Sequence, residues 1–235
     1  MKTLKTLCLG MVAAAMLLTG CNSMTNTGKG ALIGGGSGAA VGAGIGALIG
    51  GGKGAGIGAA IGTAVGAGAG TLIGNRMDKQ KKELEKSLAN ADVETVQDQN
   101  GLAAIKVTFP GGILFPTNGT TLSASAQTEL AQFAASLKQN PETNVQIFGF
   151  TDNTGGMEVN TRIANGRALS VDRFLVDSGI APTRLSYQGI PMADYVASND
   201  TPAGRAQNRR VEIYITANQQ MIQQAEQGLS LIHIS

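Results

Sequence analysis

From Asp92 onward, apolar positions recur with two different periods. Ile105, Val107 and Phe109 fall on every second residue, and so do Val211, Ile213 and Ile215, with Glu212, Tyr214 and Thr216 between them. A period of two is the mark of a half-buried strand. Leu130, Phe133, Ala134 and Leu137 recur instead at i, i+3, i+4 and i+7. That spacing predicts a helix from about Ser125, which Asn140-Pro141 ends. Segments 92–97 and 102–109 flank Asn100-Gly101, a type I′ hairpin signal. Pro110-Gly111-Gly112 interrupts the run before Ile113-Leu114-Phe115. A strand at 144–150, a helix at 158–178 and strands at 184–189 and 209–217 complete the series. The order βαβαββ predicts an α+β fold with helices on one face of a mixed sheet. Residues 92–218 suffice for one core.

The stretch Ile147–Val171 holds the candidate chemistry. Val145, Ile147, Phe148 and Phe150 form a short apolar strand in which Gly149 permits close backbone approach. Thr151-Asp152-Asn153-Thr154-Gly155-Gly156 is turn chemistry throughout. On the helix that follows, with Ile163 at 0°, Phe174 falls at about 20°, Val171 at about 80° and Leu175 at about 120°. Arg167 falls at about 40° in the same frame, inside the apolar arc. A guanidinium there needs a compensating anion or a ligand carboxylate, since an unpaired buried charge is costly. Asp152 is the nearest candidate along the sequence.

The motif Thr151-Asp152-x-x-Gly155, then Asn160, then Arg167-Ala168, resembles the OmpA-like peptidoglycan-binding domain. The later run Ala197-Ser198-Asn199-Asp200-Thr201, with Gly204-Arg205-Ala206-Gln207-Asn208-Arg209-Arg210-Val211-Glu212-Ile213, is similar to that family's closing signature. The likeness extends from about Leu102 to Thr216. It implies a peptidoglycan stem peptide as ligand, read at meso-diaminopimelate, whose side chain ends in an ammonium and a carboxylate on one carbon. Asp152 would take the ammonium and Arg167 the carboxylate, bidentately. Phe115, Thr151, Asn160 and Arg209 are possible further contacts, and backbone N–H groups near Thr151 and the helix start could add donors.

Structural alternatives accompany each of these. Asp152 could simply bridge Arg167. Asn160 reads better as a residue fixing the loop or helix start. Asn208 reads as structural, pinning the last strand to the loop at 196–205, while Arg209 is open between the two roles. Phe115 either walls the pocket or fills the core. Three positions depart from the family: Ile163-Ala164 replaces the usual Leu-Ser, and Pro116 replaces the aspartate after the phenylalanine.

The N-terminal pattern adds a location. Lys2 and Lys5 precede an apolar run, Leu7 to Leu18, as in a signal peptide spanning 1–20. Leu18-Thr19-Gly20-Cys21 is similar to a bacterial lipobox, which implies cleavage before Cys21, acylation there (palmitate among the chains) and a lipidated N-terminus at 21–27. Asn22 in place of Asp favours the outer membrane by analogy with enterobacterial lipoproteins, with the domain facing the periplasm. Two or three acyl chains, at about 0.8 kcal/mol per buried CH₂, anchor firmly. Cys8 lies in the removed segment, so the mature monomer has no disulfide.

Composition changes completely from Gly28 to Gly74. Glycine recurs at every fourth position from Gly30 to Gly74, and Lys29-Gly30-Ala31 returns as Lys53-Gly54-Ala55. The segment 28–74 reads as a glycine-zipper hairpin, with arms 31–49 and 55–73 around Gly50–Gly54. Each arm as a helix would be about 29 Å long, close to the ~30 Å hydrocarbon core. Small-xxx-small spacing permits close helix packing, in a membrane or by self-association. No phosphate-loop pattern is present. Residues 75–91 read as a charged helical spacer that Asn75 could cap, with Met77, Leu84, Leu88 and Ala91 as a thin stripe. Residues 219–235 read as a tail, and Gly228–Ser235, which hold the single His233 and continue no pattern, are set aside as foreign sequence.

With a net charge of +2 and one histidine, nothing points to nucleic acid, a metal or a cofactor. A wall hydrolase is disfavoured because no paired carboxylates or Cys/His setting surrounds Asp152. The expectation is a non-enzymatic outer-membrane lipoprotein tethering that membrane to the wall. The alternative is a glycine-zipper insertion or assembly factor with wall binding as an accessory.

Overall fold

The computed structural model describes residues 67–98, 100–116 and 118–232. The signal peptide, Cys21 and the zipper up to residue 66 lie outside the described residues. Among those described, helix α1 spans Ala67–Ser87, strand β1 Asp92–Gln97, β2 Ala103–Pro110, a single-turn α2 Gly111–Leu114 and α3 Ala124–Gln139. They are followed by β3 Thr143–Phe150, α4 Met157–Asp177, β4 Leu185–Ile190, α5 Pro202–Asn208, β5 Arg210–Ala217 and α6 Gln219–Ile232.

The strands form one mixed sheet in the order β1-β2-β5-β3-β4, antiparallel except for the parallel pair β3–β4. Register follows the hydrophobic alternation. Ile105, Val107 and Phe109 pair with Ile215, Ile213 and Val211, which face Val145, Ile147 and Gly149 on β3. That apolar row meets Leu130, Phe133 and Leu137 of α3 and Ala168, Val171 and Leu175 of α4 in one core. The opposite face carries only a small cluster of Ala104, Phe148, Phe150 and Ile190. The α+β class and the one-sided helix layer are as the sequence predicts.

Two glycines set the position of α4. A Cβ on Gly149 would lie 2.3 Å from the Ala164 carbonyl oxygen, and one on Gly189 would lie 2.3 Å from the Asn165 nitrogen. These residues face each other across β3 and β4, so the helix backbone rests directly on the sheet there. Asn165 Oδ1 then accepts from Gly189 N at 2.9 Å. The buried arc is Asn160, Ala164, Arg167, Ala168, Val171 and Leu175, while Ile163 and Phe174 are only partly covered. The arc is thus rotated from the one the large side chains suggest, because the closest approach is made by alanines. Arg167 remains within it.

Four readings need correction. The spacer at 75–91 belongs to a longer helix, in which Asn75 is internal rather than a cap. Ala69, Ile73, Met77, Leu84 and Leu88 of this segment are buried in the domain core, so the boundary drawn at 74/75 cuts one packed helix. The tail from residue 219 begins as α6, with Met221, Ile222 and Ala225 buried against the same core. Arg76 ties the two ends together, donating to Glu142 at 2.7 Å and to Gln224 at 3.1 Å. Finally, the hairpin is not type I′. Asp98 N donates to Leu102 O at 2.8 Å and Gly101 N to Asp98 O at 3.0 Å. Among the described residues of this loop, Gly101, at φ 73°, is the one with positive φ. This is the longer hairpin loop with glycine in the left-handed position. Asp98 Oδ1 holds it by accepting from Asn100 N and Leu102 N.

No helix among the described residues is long and apolar enough to cross a membrane. Of the expected hairpin arms, 31–49 and the part of 55–73 up to residue 66 lie outside the described residues, while 67–73 belong to α1, with Ala69 and Ile73 buried in the core.

Candidate ligand-binding site

Strand β3 ends at Phe150 and delivers Thr151 and Asp152, both buried, to the edge of the sheet. Asp152 Oδ1 accepts from Thr154 N at 2.8 Å, which is the local turn that aspartate favours. Gly155 takes φ 89° to complete the loop. Asn160, one turn into α4, donates to Thr154 O at 2.9 Å and Gly156 O at 3.1 Å. Its role is therefore to staple the loop to the helix. Thr151 Oγ1 accepts from Met192 N at 3.0 Å, so Thr151 holds a second loop against the first.

That second loop, 191–201, is fixed by the start of the last strand. Asn208 is fully buried and meets four partners. Its Oδ1 accepts from Val196 N and Ala197 N, and its Nδ2 donates to Ala197 O and Asn199 Oδ1. Arg210 stacks on Phe150 at 3.8 Å and donates to Glu212, Asn208 O and Asp194 O. Tyr214 donates its hydroxyl to the same Glu212 at 2.7 Å. Burial, then the Glu212 charge, pushes that hydroxyl far up. Asn208 and Arg210 are structural, as the sequence suggests for the first of them.

Arg209, between these two, turns the other way. Its backbone is held at both ends, with N bonded to Arg205 O at 3.1 Å and O accepting from Gly111 N at 2.8 Å. Its side chain is 40% exposed and places Nη1 2.6 Å from Asp152 Oδ2. Asp152 is subject to opposing effects. Burial alone raises its pKa, but the bonds from Arg209 and Thr154 outweigh this and hold the carboxyl below the ordinary range.

Arg167 is therefore not paired with Asp152 in the way sequence proximity suggests. It is 3% exposed. Its Nε donates to Gly119 O at 3.1 Å and its guanidinium lies over the Phe115 ring at 5.3 Å. Its Nη1 is buried with no hydrogen-bond partner. Burial and the Arg209 charge pull its pKa down, against the opposing influence of Asp152. Phe115 is part of the core, as one of its two readings had it, and lies under the Arg167 guanidinium.

The sequence reading missed two residues, Gly119 and Tyr195, and one pairing. Gly119 lies in a loop whose only signal is Asn118-Gly119, a turn pair. The pairing of Asp152 with Arg209 has no local signal. Tyr195, 40% exposed, has its hydroxyl pKa raised by desolvation and by the Asp152 charge. Two clefts, of about 420 and 580 Å³, lie elsewhere. The larger one shares Phe115 with the site, and neither is lined by Asp152 or Arg167. Among the described residues no cluster of His, Cys, Asp and Glu could hold a metal. The arrangement is a buried carboxylate, Asp152, paired with the half-exposed Arg209, and a second, buried guanidinium, Arg167, with one donor unsatisfied.

The OmpA family profile matches residues 114–209, and the YMGG-like Gly-zipper profile matches residues 1–78. Over 143 residues the chain is 36% identical to Probable lipoprotein YiaD of Escherichia coli K12, covering 61% of this chain and 64% of YiaD. It is 38% identical over 113 residues to peptidoglycan-binding protein ArfA of Mycobacterium tuberculosis H37Rv, covering 48% of this chain and 35% of ArfA. Both matches therefore span less than two thirds of the relative's length. The fold aligns with the cell wall anchor of the T6SS from Pseudomonas aeruginosa at a TM-score of 0.51 and 25% identity, covering 61% of this chain and 98% of that one. The chain thus resembles the OmpA family over residues 114–209 and the YMGG-like Gly-zipper family over residues 1–78.

Proposed function

We propose that this chain is an outer-membrane lipoprotein, acylated at Cys21, that binds peptidoglycan without covalent attachment and so tethers that membrane to the wall. The ligand is the diaminopimelate of the stem peptide. Its side-chain carboxylate sits on Arg167 and its ammonium on Asp152. The observation that carries the reading is the buried Arg167 Nη1 without a partner. A buried unsatisfied donor on a charged group is costly, and a ligand carboxylate would satisfy it. The wall-related names of ArfA and of the T6SS anchor support the same ligand class.

Each charge-assisted bond contributes about 1.5–3 kcal/mol net, so a single site binds modestly. A lipid-anchored protein facing a lattice of identical ligands gains the rest through high effective concentration. The test is retention of the full chain on purified diaminopimelate-type sacculi. Asp152→Ala and Arg167→Met, each with an intact folded core, are expected to lose retention. Wild-type retention by either variant sinks the assignment of the site.

A further inference from the structure

Within the proposed site, the resting charges do not balance. Asp152 is the one carboxylate among the interacting charged side chains, and Arg167 and Arg209 are both cationic. The two cations differ in freedom. Arg167 is fixed beneath the surface by Phe115 and Gly119. Arg209 has its backbone tied to Gly111 and Arg205, while its side chain is two fifths exposed and bonded to Asp152. The Arg209 guanidinium can therefore leave Asp152 by side-chain rotation alone.

Resting on the reading of the site given above, we propose that Arg209 is an internal competitor for Asp152. It makes the site select ligands that present a free carboxylate beside an ammonium over ligands that present the ammonium alone. A lone ammonium competes with Arg209, which holds Asp152 Oδ2 at 2.6 Å. It then leaves three cations around one carboxylate, with Arg167 Nη1 still unpartnered. A zwitterion also competes with Arg209, but its carboxylate satisfies Arg167 and offers a second oxygen to the released Arg209. One ion pair becomes three, and the net charge of the site is unchanged. Amidation of the ligand carboxylate removes this compensation and leaves the competition. Specificity here arises from a repulsive element as much as from an attractive one.

The test uses the full chain in detergent and three tripeptides, measured by isothermal titration. They are L-Ala-γ-D-Glu-meso-diaminopimelate, the same peptide with the side-chain carboxyl amidated, and the analogue with L-lysine at the third position. Wild type is expected to prefer the acid form over both others by about tenfold or more, the range of one charge-assisted bond. Arg209→Gln is expected to narrow that preference to about threefold or less, chiefly by tighter binding of the amide and lysine forms. Arg209→Lys keeps a competing cation and is expected to keep the preference. An unchanged preference in folded Arg209→Gln, or an equal loss of affinity for all three peptides, overturns the competitor role. If Arg209→Gln does not fold, Arg209→Lys decides: loss of its preference overturns the proposal. Failure of the wild type to bind the acid form overturns the underlying assignment of the site, which is a separate result.

Discussion

The domain contains an arginine that holds structure together and one that does not, and a matched pair of substitutions separates them. Arg184 Nε donates to Thr143 O at 2.7 Å, Nη1 to Leu137 O at 3.1 Å, and Nη2 to Asn140 O and Thr143 Oγ1, each at 2.9 Å. It closes the end of α3 onto the start of β3. Arg184→Met removes these bonds and strands acceptors around a buried Thr143. A loss of about 3 kcal/mol is expected, since a hydrogen bond to a charged group contributes about 1.5–3 kcal/mol net and this part-buried guanidinium makes four. Arg167→Met removes one bond to Gly119 O, about 1.5–3 kcal/mol, and the stacking on Phe115, about 0.5–2 kcal/mol. Against this it abolishes the unsatisfied Nη1, a cost of about 1–3 kcal/mol. It also places a thioether against the Phe115 ring, a gain of about 0.3–1.5 kcal/mol. These terms nearly cancel, and a net change within about 1 kcal/mol of zero is expected. Urea unfolding of the two variants and wild type, without ligand, measures both. With about 2–4 °C per kcal/mol for a domain of this size, thermal melts should separate the variants as clearly. Added meso-diaminopimelate should raise the wild-type midpoint and leave that of Arg167→Met unmoved. Destabilisation of Arg167→Met by 3 kcal/mol or more, comparable to Arg184→Met, would refute the view that Arg167 is kept for a ligand.

Three further outcomes follow from the packing and the charges. Leu84→Ala, on the segment that reads as a spacer, should cost about 2–5 kcal/mol in urea unfolding because Leu84 is fully buried; a change within about 0.5 kcal/mol would restore the spacer reading. Gly189→Ala puts a Cβ 2.3 Å from the Asn165 nitrogen, so it should destabilise by about 1–3 kcal/mol and weaken sacculus retention by lifting α4, and with it Arg167, off the sheet. Asp152 has a folded-state pKa below its usual 3.8. Its ionised form therefore contributes stability that is fully present above that value and lost as pH falls through the depressed one. The stability gap between wild type and Asp152→Asn should accordingly be widest near neutrality and close only on acidification below 3.8; a gap that closes above that pH would contradict the ion pair with Arg209.

The strands and the two central helices are legible in the sequence because each buries one face, which imposes a period of two or of 3.6. Arg167 is legible for the same reason, as a charge within an apolar arc. What escapes has no such signature. The stripe Ile73, Met77, Leu84, Leu88 crosses the point where the glycine-rich composition ends, so dividing the chain by composition splits one amphipathic helix in two. Helix α5 runs only from Pro202 to Asn208, too short for a period, and its signal is the Thr201 hydroxyl accepting from Gly204 N with Pro202 behind it. The partnership of Asp152 with Arg209 joins the end of β3 to the residue before β5, and it depends on β3 and β5 being neighbours in the sheet. Nearness along the chain favours Arg167 as the partner; sheet topology assigns Arg209.

That assignment bears on why an incompletely paired guanidinium is tolerated. The loops around the site are held by groups that do not take part in the charge exchange. Asn208 meets its four neutral partners, Thr151 holds Met192, and Asn160 closes the 154–156 turn. Met192 and Asp194 both adopt positive φ, at 51° and 50°, conformations that cost about 1–2 kcal/mol for a non-glycine residue. Each lies at a point fixed from outside: Met192 N by Thr151, and Asp194 O by Arg210 at 2.9 Å. The strain and the rigidity therefore reside in a network that remains intact whichever partner Asp152 holds. Arg209 can release Asp152, and Arg167 can gain a ligand, without either loop losing its support. A site built this way separates affinity from stability, so charge substitutions at Asp152, Arg167 and Arg209 should alter what is bound far more than whether the domain folds. Substitutions at Asn208 or Arg210, which touch no ligand in this arrangement, should do the reverse.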